Sequence, residues 1–243
     1  MLEIALVQHA WARRTWWCLS SLVQQESPPP LQVRLHIHRD DPFSEINERL
    51  IETFAPRLTL QVVVWTTDEF FHRGCVRNRD IGDCGAEWLL FVDPDTVFST
   101  GFLAALNRSR RDPERVNIAP RTTMTDFDVG YELVDSVHYD SEPIDQAAAR
   151  CARVTCLRRD RWSGAGYFHL VHPESVRKKR AGYGRGCEDR RFDHEAGLRT
   201  PTDRMFRLGM GVHRLRGLPP FYHLQHWRRW QDGCPEHVRN ACH

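Results

Sequence analysis

Apolar positions in the first hundred residues follow two periods in turn. LEIALVQ (2–8), LQVRLHIH (31–38), LTLQVVVW (58–65) and WLLFV (88–92) are short apolar or strictly alternating runs, the pattern of buried and half-buried strands. Between them lie stretches with helical spacing. Residues 13–25 carry Trp16, Trp17, Leu19, Leu22 and Val23, and are ended by Ser27-Pro-Pro-Pro30. FSEINERLIETF (43–54) is amphipathic, with Ser44 as its expected cap, and residues 76–85 form a third helix. Strand and helix alternating in this way predict a mainly parallel sheet with helices on both faces. Beyond residue 100 the expectation is a helix over 102–109, a strand over 115–122, loop and weak strand over 123–145, and a strand over 152–159. No repeat or low-complexity linker divides the chain. The prediction is therefore one mixed α/β domain in two halves, residues 1–100 and 101–243.

One run needs explaining. EWLLFVDPDTVF (87–98) drives a buried strand straight into two carboxylates, Asp93 and Asp95. In open parallel sheets ligands sit at the carboxyl ends of strands. Close carboxylates repel, and burial raises their pKa unless a cation compensates. A hard divalent cation with oxygen ligands is the natural partner, and it can also hold a diphosphate. The plainer alternative is a solvated turn around Pro94.

In this setting RNRDIGDCGAEWLLFVDPDTVF (77–98) resembles the Arg-Asn, helix, strand, D-x-D segment of family 2 glycosyltransferases with the GT-A fold. GAGYFHLVHPESVRKKRAGYGRGCEDRRFDHEAGLRT (164–200) is similar to their acceptor segment, and FYHLQHW (221–227) to the closing strand that supplies a metal-binding His. The resemblance covers most of the chain, in the right order. It implies an inverting hexosyl- or pentosyltransferase of GT-A (Rossmann-like) fold. Residues 1–100 would be its nucleotide-sugar-binding half, and 101–243 its acceptor-binding and catalytic half.

Roles follow from the resemblance. Asp93 and Asp95 would hold Mn²⁺ or Mg²⁺ on the diphosphate of a nucleoside-diphosphate sugar, a UDP-sugar by preference, with Asp93 also facing the ribose. Asp189 would be the general base and Glu188 an acceptor-binding residue. The alternative for that pair is an acidic helix start matched to Arg190 and Arg191. His223 or His226 would complete the metal site, or be a buried, hydrogen-bonded histidine. Gln8 and His9 would touch the base, and Asp40 or Asp41 would accept from a uracil-like imide. Arg73, Arg77 and Asn78 would lie near base and diphosphate, unless Arg77 is an ordinary helix-surface charge. The family's usual Asp-Asp-Gly-Ser after the second strand is Arg39-Asp-Asp-Pro42 here.

Charge adds a partner class. Residues 1–150 hold 15 Lys/Arg and 23 Asp/Glu, a balance of −8; residues 151–243 hold 19 and 9, a balance of +10. A basic second half with RRDRW (158–162), RKKR (177–180) and WRRW (227–230) suggests an anionic acceptor. That acceptor would be a glycan, a lipid-linked phosphate or DNA carrying a hydroxylated base; the alternatives are a solvated face or mutual attraction of the halves. Two rivals stay open: a nucleic-acid-binding protein without chemistry, and an inactive sugar-nucleotide-binding domain. A nucleotidyltransferase would need a glycine-rich phosphate loop early on, and residues 1–14 contain no Gly. QHWRRW (225–230) is one residue off the spacing of processive synthases. No run reaches the ~20 apolar residues of a membrane span, and the opening apolar stretch is short for a signal peptide. The expectation is a cytoplasmic protein with its eight cysteines reduced. Cys234, His237, Cys242 and His243 form at most a weak zinc pattern.

Overall fold

The computed structural model describes residues 1–119, 122–125, 144–150, 152–156, 168–183, 206–207 and 210–224. Its strands are β1 (Leu2–Gln8), β2 (Leu31–His38), β3 (Thr59–Trp65), β4 (Trp88–Val92), β5 (Thr96–Phe98), β6 (Val116–Ile118), β7 (Thr122–Thr125), β8 (Ala152–Cys156), β9 (Phe168–Val171), β10 (Gly182–Tyr183), β11 (Phe206–Arg207), β12 (Val212–Arg214) and β13 (Phe221–Leu224). Its helices are α1 (Ala12–Val23), α2 (Ser44–Phe54), α3 (Arg73–Asp83), α4 (Phe102–Arg108), α5 (Ile144–Arg150) and α6 (Pro173–Lys178), with a 3-10 turn over Asp68–Phe71.

The main sheet runs β12-β6-β9-β4-β1-β2-β3. β1 lies parallel to both β2 and β4, and β2 is parallel to β3. Only β9 runs against its neighbours β4 and β6. This is the mixed, mainly parallel sheet that the alternation of elements predicted.

The sheet's two faces are read directly from period two. On one face Leu2, Ile4, Leu6, Val33, Leu35 and Leu90 join Cys18, Leu19 and Leu22 of α1 and Leu50 and Phe54 of α2 in one core. On the other, Ala5, Leu89 and Phe91 pack with Ile81 of α3, Val176 of α6 and Tyr183. β4 is buried throughout because both faces are covered, which is why WLLFV lacks alternation. Leu89 and Leu90 are fully buried, and each contributes about 2 kcal/mol.

The polar positions of β2 meet α3. Arg34 pairs with Glu3 at 2.9 Å and with Asp80 at 3.1 Å, and all three are buried. Burial pushes the Glu3 carboxyl up, and Arg34 opposes that shift. His36 completes the group. Its Nδ1 accepts from Trp65 Nε1–H at 2.9 Å, so its proton sits on Nε2, which donates to Asp80 at 2.9 Å. Trp65→Phe leaves His36 Nδ1 without its donor. The expected loss is about 2 kcal/mol, or about 4–8 °C in Tm for a chain of this size, measured by thermal melting with nucleotide binding unchanged.

Three boundaries differ from the sequence expectation. Ser44 is the first residue of α2 and not its cap; Phe43 stands at the cap position, and no side chain caps the helix. Asp41 Oδ1 takes the Phe43 N–H at 2.8 Å, an Asx turn that sets the helix start. α3 begins at Arg73, three residues before its first large apolar side chain, Val76, because the 3-10 turn feeds directly into it. The strand expected over 115–122 is two: β6 in the main sheet, and β7 in a second sheet ordered β5-β13-β7-β8. Cys18, Cys75 and Cys84 are free thiols. No helix among the described residues is long and apolar enough to cross a membrane.

Candidate functional site

β4 ends at Val92, and the chain then leaves the main sheet. Thr96 N–H bonds back to Asp93 C=O at 3.1 Å, closing a four-residue turn with Pro94 at its second position. After that turn β5 starts the second sheet. Both carboxylates therefore stand at the junction of the two sheets, at the carboxyl edge of the main one. The turn around Pro94 exists, but it is not a solvated one. Asp95 is 2 % exposed, and the Asp93 side chain 16 %. Their field reaches Cys18 of α1, whose thiol is pushed well up by burial and then by Asp95 and Asp93.

β13 pairs antiparallel with β5 and sets His223 opposite Thr96, the residue after Asp95. The closing strand thus lies beside the D-x-D turn in the second sheet. Glu188, Asp189 and His226 lie outside the described residues, as do Cys234, His237, Cys242, His243 and the WRRW stretch.

The D-x-D pair has positive charge close by. Arg73, at the start of α3, is 3.7 Å from Asp93 and more than half exposed, so this loose pair contributes little stability. Arg73, Arg77, Ala5, Val7, Phe91 and Asp93 line one shallow cleft. Arg77 is 5 % exposed, which removes the helix-surface alternative. Its guanidinium lies 4.9 Å from the Tyr183 ring centre and 5.6 Å from that of Phe91, and it bonds the Tyr183 hydroxyl. Asn78 turns away from this cleft. Its Nδ2 donates to Tyr183 C=O at 2.8 Å, and its Oδ1 accepts the Tyr183 N–H at 2.7 Å.

The residues expected around the base gather at the ends of β1 and β2. Gln8 is buried; its Nε2 donates to Asn47 Oδ1, and its Oε1 accepts the Trp11 N–H at 3.2 Å. Both Asp41 oxygens serve the backbone, one taking the Phe43 N–H and the other the Ala10 N–H at 2.9 Å. Ala10 has φ 59°, a left-handed conformation uncommon for a residue with a Cβ, and Asp41 holds it there. Asp41 thus shapes the loop after β1. Asp40 has an 83 % exposed side chain and is the more accessible acceptor of the two.

His9 belongs to an aromatic cluster that the sequence did not disclose. Its ring packs on Phe71 at 5.1 Å and Phe70 at 6.0 Å, and His38 packs on the same two at 5.0 and 5.4 Å. Phe70 and Phe71 come from the 3-10 turn between β3 and α3, a segment without apolar periodicity. The available signal was His36 and His38 on the polar face of β2.

A cavity of about 370 Å³ lies elsewhere, over Glu3, Arg34, Asp80 and Gln61. It covers the amino-terminal half of the sheet face, away from the strand ends. The cleft at Asp93 is far smaller, about 10 Å³, and lies toward the carboxyl ends of β1 and β4.

Two carboxylates offer hard oxygen donors, which suit Mg²⁺ or Mn²⁺. Among the described residues no three His, Cys, Asp or Glu side chains cluster as a metal site. The described protein donors are therefore Asp93 and Asp95, a set that fits a cation sharing its shell with phosphate oxygens.

Of the basic stretches named from the sequence, RKKR lies among the described residues. Arg177 donates to the carbonyls of Ile81 at 2.6 Å and Cys84 at 3.3 Å. Lys178 pairs with Glu174 at 2.7 Å and Lys179 with Glu114 at 2.8 Å. Three of the four residues of RKKR are thus engaged within the chain.

No protein-family model and no curated protein matches the chain. Solved structures do. The fold is similar to that of Staphylococcus aureus TarS, with TM-score 0.55 and 14 % identity over 92 % of this chain and 36 % of that one. It is also similar to TarS 1-349 in complex with UDP (TM-score 0.56, 14 % identity, 92 % and 60 % covered) and in complex with UDP-GlcNAc (0.55, 13 %, 99 % and 64 %). The chain therefore spans between about a third and two thirds of those chains. At this identity the likeness establishes the fold, which is GT-A-like.

Proposed function

We propose that this protein is a metal-dependent, inverting glycosyltransferase that moves one sugar from a nucleoside-diphosphate sugar to an acceptor hydroxyl. The observation that carries the proposal is the buried Asp93-x-Asp95 turn at the carboxyl edge of β4, with Arg73 and Arg77 lining the same cleft. A UDP-sugar is the preferred donor, a choice supported by the UDP and UDP-GlcNAc complexes of the TarS structures that share the fold.

When bound between Asp93 and Asp95, Mn²⁺ or Mg²⁺ would act as a Lewis acid on the leaving diphosphate. Arg73 sits at the cleft mouth and offers its guanidinium to the same phosphates. Asp40 accepts a base N–H, while Asp41 and Gln8 hold the loop that His9 stands on. Asp189 takes the acceptor hydroxyl's proton as that oxygen attacks the anomeric carbon. The sugar–phosphate bond breaks on the opposite face, the diphosphate leaves with the electron pair, and the anomeric configuration inverts. His223, opposite Thr96 in β13, is preferred over His226 as the additional metal ligand.

The test is a thermal-shift screen of UDP, GDP, ADP, CDP and dTDP, each with and without Mn²⁺. UDP with Mn²⁺ at a hundred times its Kd is expected to add about 2.7 kcal/mol, or about 5–10 °C in Tm. No shift with any nucleotide would refute the proposal.

A further inference from the structure

One contact between α3 and β10 is made with the backbone and not with a donor. Asn78 of α3 meets the backbone of Tyr183 with both ends of its amide, at 2.8 and 2.7 Å. Only one amide orientation satisfies both bonds, so the side chain is fixed. Gly182 makes this approach feasible: a Cβ there would lie 2.9 Å from Asn78 Oδ1, closer than real Cβ contacts come. The Tyr183 side chain is gripped as well. It is buried, its ring packs edge-on to Phe91 at 5.5 Å and on Arg77, and its hydroxyl lies 3.1 Å from His169 Nδ1. Arg77 has only donors, so the Tyr183 oxygen accepts from it.

Phe91 and Arg77 line the cleft that holds Asp93, so Tyr183 is anchored beside the donor site. Glu188 and Asp189 follow it by five and six residues. We propose that Asn78 is a positioning residue: by clamping Tyr183 to α3 it fixes β10, the strand that precedes Glu188 and Asp189 in the sequence, against the donor cleft. This rests on the transferase assignment above. Misplacement of a catalytic group by about 1 Å can cost on the order of 100-fold in rate.

The test is a double-mutant cycle of Asn78→Ala and Gly182→Ala on the full chain, with UDP-GlcNAc as donor and water as acceptor. UDP release gives kcat and KM, and thermal shift gives UDP affinity with Mn²⁺. Each single variant is expected to lower kcat about 10- to 100-fold, with KM and UDP affinity within about threefold of wild type. The double variant should be no worse than Asn78→Ala, because the atom that the new Cβ strikes is gone. Asn78→Asp keeps the acceptor and loses the donor, and should fall between wild type and Asn78→Ala; it serves if the alanine variants do not fold. Unchanged kcat in Asn78→Ala or Asn78→Asp refutes the clamp, whatever happens to Tm. Loss of UDP affinity also refutes it, and places Asn78 in the donor site. A wild-type chain that binds no nucleotide refutes the transferase assignment and the clamp with it.

Discussion

Asp95→Ala removes the stabilisation that UDP gains from Mn²⁺. The wild-type shift of about 5–10 °C should fall to under about 1 °C, and UDP affinity in the presence of Mn²⁺ should drop at least 100-fold. Asp95 is 2 % exposed and stands at the joint between β4 and β5, so its carboxylate is shielded from solvent before any ligand arrives. Such a group suffers from Asp93 one residue away, and a divalent cation relieves both. Without Asp95 the described protein donors reduce to Asp93, whose charge Arg73 already partly meets at 3.7 Å. Asp95→Asn, which keeps the shape and removes the charge, should behave in the same way. Titration of Mn²⁺ against each variant at fixed UDP gives the comparison. Undiminished Mn²⁺-dependent stabilisation in both variants would show that the D-x-D turn is structural.

The order of elements was legible because each strand advertises its own burial. LQVRLHIH alternates, since one face of β2 meets α1 and α2 while the other carries Arg34 and His36 toward α3. WLLFV does not alternate, since both faces of β4 are covered. The D-x-D turn stood out for the same reason: charge directly after a doubly buried strand is costly unless something holds it. Less visible was everything decided by tertiary pairing. Arg77 has the composition of a surface residue, yet Phe91 and Tyr183 bury it. Asn78 has the chemistry of a ligand contact, yet a backbone far away in sequence takes both of its hydrogen-bonding groups. Asp41 matches the position of a base-binding carboxylate, but Ala10 and Phe43 claim its oxygens. RKKR reads as a basic patch until Glu114, Glu174 and two carbonyls are placed beside it. In each case the partner lies beyond any local window.

Asp189→Asn separates chemistry from binding. It should keep the full UDP and Mn²⁺ thermal shift and lose donor turnover by about 10²- to 10⁴-fold, the range for removing a general base. That is about 3 to 5 kcal/mol of barrier. Asn has nearly the same volume and still offers a carbonyl oxygen, so hydrogen bonding to an acceptor persists while proton removal does not. Glu188→Gln, proposed to bind the acceptor, should raise the KM of a sugar acceptor more than it lowers kcat for hydrolysis by water. An Asp189→Asn protein within tenfold of wild-type UDP release would refute Asp189 as the base and leave Glu188 as the candidate. Loss of nucleotide binding in the same variant would instead move Asp189 to the donor side of the cleft.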